Sequence, residues 1–312
     1  MGRVAHIAAL EHFGGISRGG EDTHWRRVPR IGTDRSARRA RPSRRTRLTY
    51  GVVAQPEYQL DHIAFGVPDL APVSEFLFGT LGATAYGAGP GAGFRFWQWA
   101  FDGGARMEIL VPAGPPDGFL HRFLASRGAA AHHVTFKVRD IHAAMERARS
   151  HGYDIVGYDD SDPGWKEAFL HPKQAQGIVV QFAEASGSSD ESFGAADRFP
   201  ASPEQIPAPA RLVGMRLLAR DEAAARLQWQ TVLGGECRHT GETLEFRWPD
   251  SPLPLLVDLV PSAAEGPRTL EISADRPLVL PEGPHPLFGL PFVQVETPSD
   301  TRGKTRVETA PR

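Results

Sequence analysis

Two stretches, LDHIAFGVPDL (60–70) and HHVTFKVRDI (132–141), follow one local plan. In each, an alternating apolar run leads through a short turn to an aspartate, and an apolar stripe at helical spacing follows. Period-two alternation marks a strand with one buried face, and Asp69 and Asp140 are the residue type that caps a helix N-terminus. After Asp69 the stripe is Leu70, Val73, Phe76 and Leu77; after Asp140 it is Ile141, Ala144, Met145 and Ala148. Working outward, three short strand-like runs follow each helix. They lie at 84–88, 94–101 and 105–111 in the first half, and at 154–158, 166–170 and 178–183 in the second. The simplest account is an α+β fold of two tandem βαβββ units repeating at roughly 70 residues.

Strand parity selects the side chains that face away from the helices. Ile63, Phe65 and Val67 must meet the first helix, which turns His62, Ala64 and Gly66 to the other side. By the same count Val134, Phe136 and Val138 pack inward, while His133, Thr135 and Lys137 face out. His62 and His133 each stand seven residues before their aspartate, and this registry picks His133 over His132. On the last strand of each unit, Glu108 follows His62 by 46 residues and Gln181 follows His133 by 48. Burying Glu108 between Met107 and Ile109 is costly without a cation or a hydrogen-bond donor. If the two units close face to face, the four side chains converge in one cup. Two imidazoles, a carboxylate and an amide oxygen suit a divalent ion such as Co, Ni, Mn, Fe or Zn, with water or substrate in the remaining positions.

The rest of the chain sets the boundaries. Residues 1–50 hold twelve arginines against four acids, although the whole chain is nearly neutral at −2. The basic part is thus a tail, and the acidic remainder argues against a nucleic-acid-binding core. One cysteine, Cys237, leaves no intrachain disulfide and fits a cytoplasmic setting. No run approaches the roughly 18–20 apolar residues of a membrane span, and Glu11 with two histidines breaks the apolar run of a secretory leader. The expected organisation is an Arg-rich disordered extension (1–56), a metal-binding body (57–184), a Ser/Pro-rich linker (185–209), a second body (210–297) and a flexible tail (298–312). The second body repeats strand, Asp221 cap and helical stripe (Ala225, Trp229, Val232, Leu233), but has no room for a second helix. Gly214 stands at its first-ligand position, with Asp258, Glu271 and Gln294 roughly matching Glu108, His133 and Gln181. It reads as a shortened, degenerate copy.

On these residues the chain resembles the vicinal oxygen chelate superfamily, in particular its methylmalonyl-CoA epimerase and glyoxalase-like branch. The matching stretches are LDHIAFGVPDL (60–70), RMEILVP (106–112), FLHRFLASRGAAAHHVTFKVRDI (119–141) and FLHPKQAQGIVVQFAE (169–184). The resemblance implies paired βαβββ units curled around a divalent metal, held by His62, Glu108, His133 and Gln181, and a small-molecule substrate with adjacent oxygens. It also marks departures. The fourth ligand is normally a glutamate that takes part in proton transfer, whereas the amide of Gln181 has no basic lone pair near neutral pH. A second glutamate expected within 89–99 is missing too, so ordinary two-base epimerisation is not expected.

Lys137 and His171 are then the candidate proton-transfer groups beside a metal-bound hydroxide, and Arg95, Trp97 and Trp99 are expected to wall the substrate pocket. Gln181→Glu is expected to raise any epimerase or glyoxalase activity. Isomerase or lyase chemistry, a ligand-sequestering protein of the bleomycin-resistance type, and a ring-cleaving dioxygenase all stay open. So does a metal-free scaffold whose open sheet forms a homodimer.

Overall fold

The alternation that opens each unit becomes a strand at the middle of a sheet. In the computed structural model, which describes residues 57–186 and 199–296, β1 (Tyr58–Gly66) leads into α1 (Leu70–Glu75). The Asp69 carboxylate accepts the Ala71 N–H at 3.1 Å and so caps α1, which continues as a π-helical turn, Phe76–Thr80. Strands β2 (Thr84–Gly91), β3 (Phe94–Ala100) and β4 (Arg106–Pro112) complete the first unit. Helix α2 (Phe119–Arg127) connects it to β5 (Ala130–Val138). Asp140 then caps α3 (Ile141–Ser150), and β6 (Ile155–Asp162), β7 (Trp165–Leu170) and β8 (Val179–Ala185) follow.

These strands form one eight-stranded sheet in the order β2-β3-β4-β1-β5-β8-β7-β6. The two units do not close face to face. They join edge to edge, because β1 and β5 pair antiparallel with Ala64 opposite His133. β1 lies parallel to β4 and β5 parallel to β8, so each half repeats the other about that central seam. This sets the first and last strands of both units side by side.

The second body has β9 (Arg211–Ala219), then α4 (Glu222–Ala225) widening into a π-helical turn at Arg226–Val232. It goes on through β10 (Glu236–Thr240), β11 (Thr243–Arg247), β12 (Leu255–Leu259), β13 (Gly266–Ser273) and β14 (Phe292–Gln294). Its order, β10-β11-β12-β9-β13-β14, reproduces the first six strands of the larger sheet, and irregular chain fills the place of a second helix. The shortened copy expected from the sequence is thus present as topology. Two elements went unpredicted. Helix α2 has no side-chain cap to mark its start, although Phe119, Leu120 and Phe123 form its buried face, and β10 is almost wholly exposed and carries no burial pattern in sequence.

One apolar core runs through both bodies. The Phe65 and Phe288 rings meet edge-on at 5.3 Å, and those of Phe136 and Trp248 at 4.8 Å. Phe199, in the segment expected to be linker, packs on Trp99 at 5.0 Å. The Arg-rich extension (1–56), residues 187–198 of the expected linker and the tail (298–312) lie outside the described residues. No helix among the described residues is long and apolar enough to cross a membrane.

Candidate metal centre

The β1–β5 seam carries the chemistry. His62 on β1, Glu108 on β4 and His133 on β5 offer ligand atoms that all lie within 4.8 Å of one another. Glu108 Oε1 is 3.6 Å from His62 Nε2 and 3.7 Å from His133 Nε2. All three side chains are buried, at 2, 8 and 1% exposure. His133 Nε2 has no hydrogen-bond partner among the described residues, and an imidazole nitrogen left bare in the interior is costly unless something else occupies it. Two imidazoles and a carboxylate converging on such an atom fit a borderline divalent ion.

A second layer of groups sets the imidazoles. His62 Nδ1 donates to Asp61 Oδ2 at 2.8 Å, which turns Nε2 toward Glu108. Asp61 also pairs with Arg106, and with Lys137 Nζ at 3.2 Å. Burial alone works against its charge, but the bond to His62 and the nearby cations hold its carboxyl well below the usual carboxylate range. Burial likewise works against a charge on His62, yet Glu108 and Asp61 outweigh it and raise the imidazole to about 9. His133 shows the opposite balance: buried beside His132 and His62, it is pushed well below its ordinary value and is neutral. Its Nδ1 lies 2.8 Å from Nδ1 of His132, which burial lowers to about 4.

Gln181 is placed next to this group but is otherwise engaged. Its Oε1 accepts the Thr135 hydroxyl at 2.6 Å, and the Thr135 oxygen lies 3.0 Å from His62 Nε2. Its amide Nε2 donates to Glu167 Oε2 on β7 at 2.8 Å. A matching pair closes the other side, where Gln98 Nε2 on β3 donates to Glu108 Oε2 at 2.8 Å. Asp61, Gln98, Thr135 and Glu167 were not singled out by sequence reading. The parity that turned Thr135 toward the cup was already available. Gln98 and Glu167 could have been found by asking which polar residues break otherwise apolar strands.

The structure separates the other candidates from this group. Trp97 and Trp99 lie on the helix side of β3 in the main core, and Arg95 stacks over the Trp97 ring at 5.6 Å. The expected pocket wall is therefore the opposite face of β3, where Phe94 and Phe96 pack with Phe119, Leu120 and Phe123 of α2 and with Phe169. The error lay in which face was assigned to the pocket: Gln98, not the tryptophans, shares the face of Glu108. Lys137 does reach the group's rim, but its ammonium is paired with Asp61. His171 sits in the turn after β7, where its Nδ1 accepts the Lys173 N–H at 3.1 Å.

In the second body, register corrects the expected correspondences. Leu256 pairs with Arg216 as Glu108 does with Ala64, and Thr269 pairs with Arg216 as His133 does with Ala64. Val293, not Gln294, stands opposite Glu271 as Gln181 does opposite Thr135. The guanidinium of Arg216 fills this sheet's polar centre, reaching Asp258 at 2.6 Å and Glu271 at 2.5 Å. A fixed cation already pairs with both acids.

Comparison with known proteins shows the family. Residues 61–169 match the family described as Glyoxalase/Bleomycin resistance protein/Dioxygenase superfamily. Human mitochondrial methylmalonyl-CoA epimerase is 31% identical over 140 residues, covering 41% of this chain and 74% of that protein. An ethylmalonyl-CoA/methylmalonyl-CoA epimerase of Cereibacter sphaeroides is 30% identical over 135 residues, 40% of this chain and 97% of the relative. Among solved structures, methylmalonyl-CoA epimerase from Mycobacterium tuberculosis superposes with a TM-score of 0.39 at 25% identity, covering 44% of this chain and 94% of that one.

Proposed function

Because the chain belongs to the glyoxalase/bleomycin resistance/dioxygenase superfamily, we propose that His62, Glu108 and His133 hold one divalent cation, and that the cup around them takes a small carbonyl or thioester compound by two neighbouring oxygens for proton transfer beside the carbonyl. The observation that carries this reading is the convergence of two imidazole nitrogens and a carboxylate oxygen on a buried site where one nitrogen has no hydrogen-bond partner among the described residues. When bound, such an ion supplies Lewis-acid polarisation of the carbonyl. Asp61 fixes the His62 tautomer, as carboxylates behind metal-binding histidines do. The phenylalanines of β3, β7 and α2 exclude water from the reacting atoms. Acyl thioesters of coenzyme A are the first substrates to try, given the names of the relatives.

Elemental analysis of protein purified without chelator tests the centre. Stoichiometric Co, Ni, Mn, Fe or Zn is expected, and its loss in His62→Ala and in His133→Ala. Metal retained by both variants would overturn the assignment. A sequestering protein without turnover is the second reading, favoured by the amide at 181 in place of a carboxylate. Incubation of methylmalonyl-CoA in D2O separates the two: deuterium at the α-carbon supports proton transfer, and binding without exchange supports sequestration.

A further inference from the structure

Each half of the larger sheet presents one carboxylate held by one amide, but the strands have exchanged roles. In the first half the acid is on the last strand and the amide one strand over: Glu108 on β4, Gln98 on β3. In the second half the amide is on the last strand and the acid one strand over: Gln181 on β8, Glu167 on β7. The carboxylate lacking at 181 is thus present at 167. Glu167 Oε2 accepts from Gln181 at 2.8 Å and from the Trp165 indole at 3.2 Å. Its Oε1 is buried and has no hydrogen-bond partner among the described residues, with the side chain 2% exposed. A hydrogen-bonded chain through Gln181 and Thr135 links it to His62, while Phe169, two residues along β7, packs with the apolar wall of the cup.

We propose that Glu167 is the catalytic carboxylate of this site, moving a proton on and off the carbon next to the substrate carbonyl through Oε1. The inference rests on the proton-transfer reading above. In the step, the α-C–H bond breaks as the Glu167 O–H bond forms, and the electron pair shifts onto the carbonyl oxygen. On return the O–H bond breaks and the C–H bond reforms, with no other reactant consumed. Glu108 is engaged with the imidazoles and Gln98, so transfer in this proposal uses a single base, Oε1 of Glu167.

The test uses the full chain with its metal, methylmalonyl-CoA as the probe, and α-deuterium incorporation in D2O with metal content measured in parallel. Glu167→Gln keeps the acceptor for Gln181, so folding and full metal content are expected while exchange falls roughly a hundredfold or more. The double variant Glu167→Gln/Gln181→Glu returns a carboxylate one strand away and is expected to recover part of the exchange. Undiminished exchange in Glu167→Gln overturns the proposal alone. Loss of metal in Glu167→Gln also overturns it, by making the residue a ligand. Absence of exchange in the unaltered protein overturns the proton-transfer reading itself and the proposal with it.

Discussion

The carboxylate of Asp61 accepts the Nδ1–H of His62 at 2.8 Å, and both groups are almost fully buried. A neighbour in sequence thereby sets which imidazole nitrogen faces Glu108. The contact is local only because a register shift between Leu60 and His62 lets both side chains reach the same network. Asp61→Asn keeps the shape but weakens the acceptor and leaves Arg106 and Lys137 without their counter-charge. Metal affinity is expected to fall about 10–100-fold, in line with other carboxylates behind metal-bound histidines. Competition with a chelator measures it, and unchanged affinity would show that β1 alone orients His62.

Much of this site was legible in sequence because strand parity is strict. The seven-residue spacing to Asp69 and Asp140 placed His62 and His133 on one face, and the structure brings them together with Glu108. On β3 the rule held, since Arg95, Trp97 and Trp99 share one face, but that face was assigned to the pocket whereas Gln98 shares the face of Glu108. Glu167 was overlooked for a different reason. It stands out as a buried acid on β7, but its role depends on the hydrogen bond from Gln181, a partner fourteen residues away on the next strand, so the break had no meaning until the strands were paired. The mapping of Asp258, Glu271 and Gln294 failed because strand pairing, not spacing from the cap, fixes correspondence between copies.

Helix α2 closes over the cup against Gly66. A Cβ at that position would lie 2.9 Å from Phe123 Cε1 and 3.1 Å from Leu120 Cδ1. Both clashing atoms are side-chain ends in one apolar cluster with Phe119 and Ala64, so the ring and the leucine must shift to admit a methyl. Gly66→Ala is expected to cost about 1–3 kcal/mol by overpacking. In urea denaturation the double variant Gly66→Ala/Phe123→Leu should lose less than the two single losses combined, since the smaller side chain vacates the contact. Strict additivity would mean that α2 does not rest on this glycine.

The N-terminus of α3 depends on two carboxylates. Asp140 accepts the His142 and Ala143 amides at 2.9 and 3.1 Å, and Glu184 of β8 accepts the Ile141 amide at 2.8 Å and the Lys166 ammonium at 2.5 Å. Asp140 is lowered from 3.8 by its backbone bonds, and Glu184 from 4.5 first of all by Lys166. A carboxyl lowered by folding stabilises the folded state above its unfolded value and loses that contribution as pH falls through its folded value. Protection of the Ile141, His142 and Ala143 amides from hydrogen exchange is therefore expected to hold at neutral pH, to begin falling below about 4.5, and to be lost further down. In Asp140→Asn the pH dependence at His142 and Ala143 should shrink. Protection independent of pH in the unaltered chain would mean that packing of Ile141 and Met145 alone holds the helix end.

Gln181→Glu, which sequence reading expected to raise activity, meets a different environment in the structure. The new carboxylate would stand where the amide now donates to Glu167 at 2.8 Å, so two acids would share a buried site without a donor between them. One of them must then stay protonated, because like charges at such a distance cannot both ionise. The single variant is expected to be destabilised by about 1–3 kcal/mol at pH 8, the cost of holding that proton where an unfolded carboxyl would release it, and by less at pH 5. Adding Glu167→Gln re-creates an amide–carboxylate pair with the two roles reversed, as they already are between Gln98 and Glu108, and should recover most of the stability. Chemical denaturation of the two variants and the unaltered chain at both pH values checks this. If Gln181→Glu is as stable as the unaltered chain at pH 8, the two side chains are not in contact and the amide at 181 does not hold Glu167 in place.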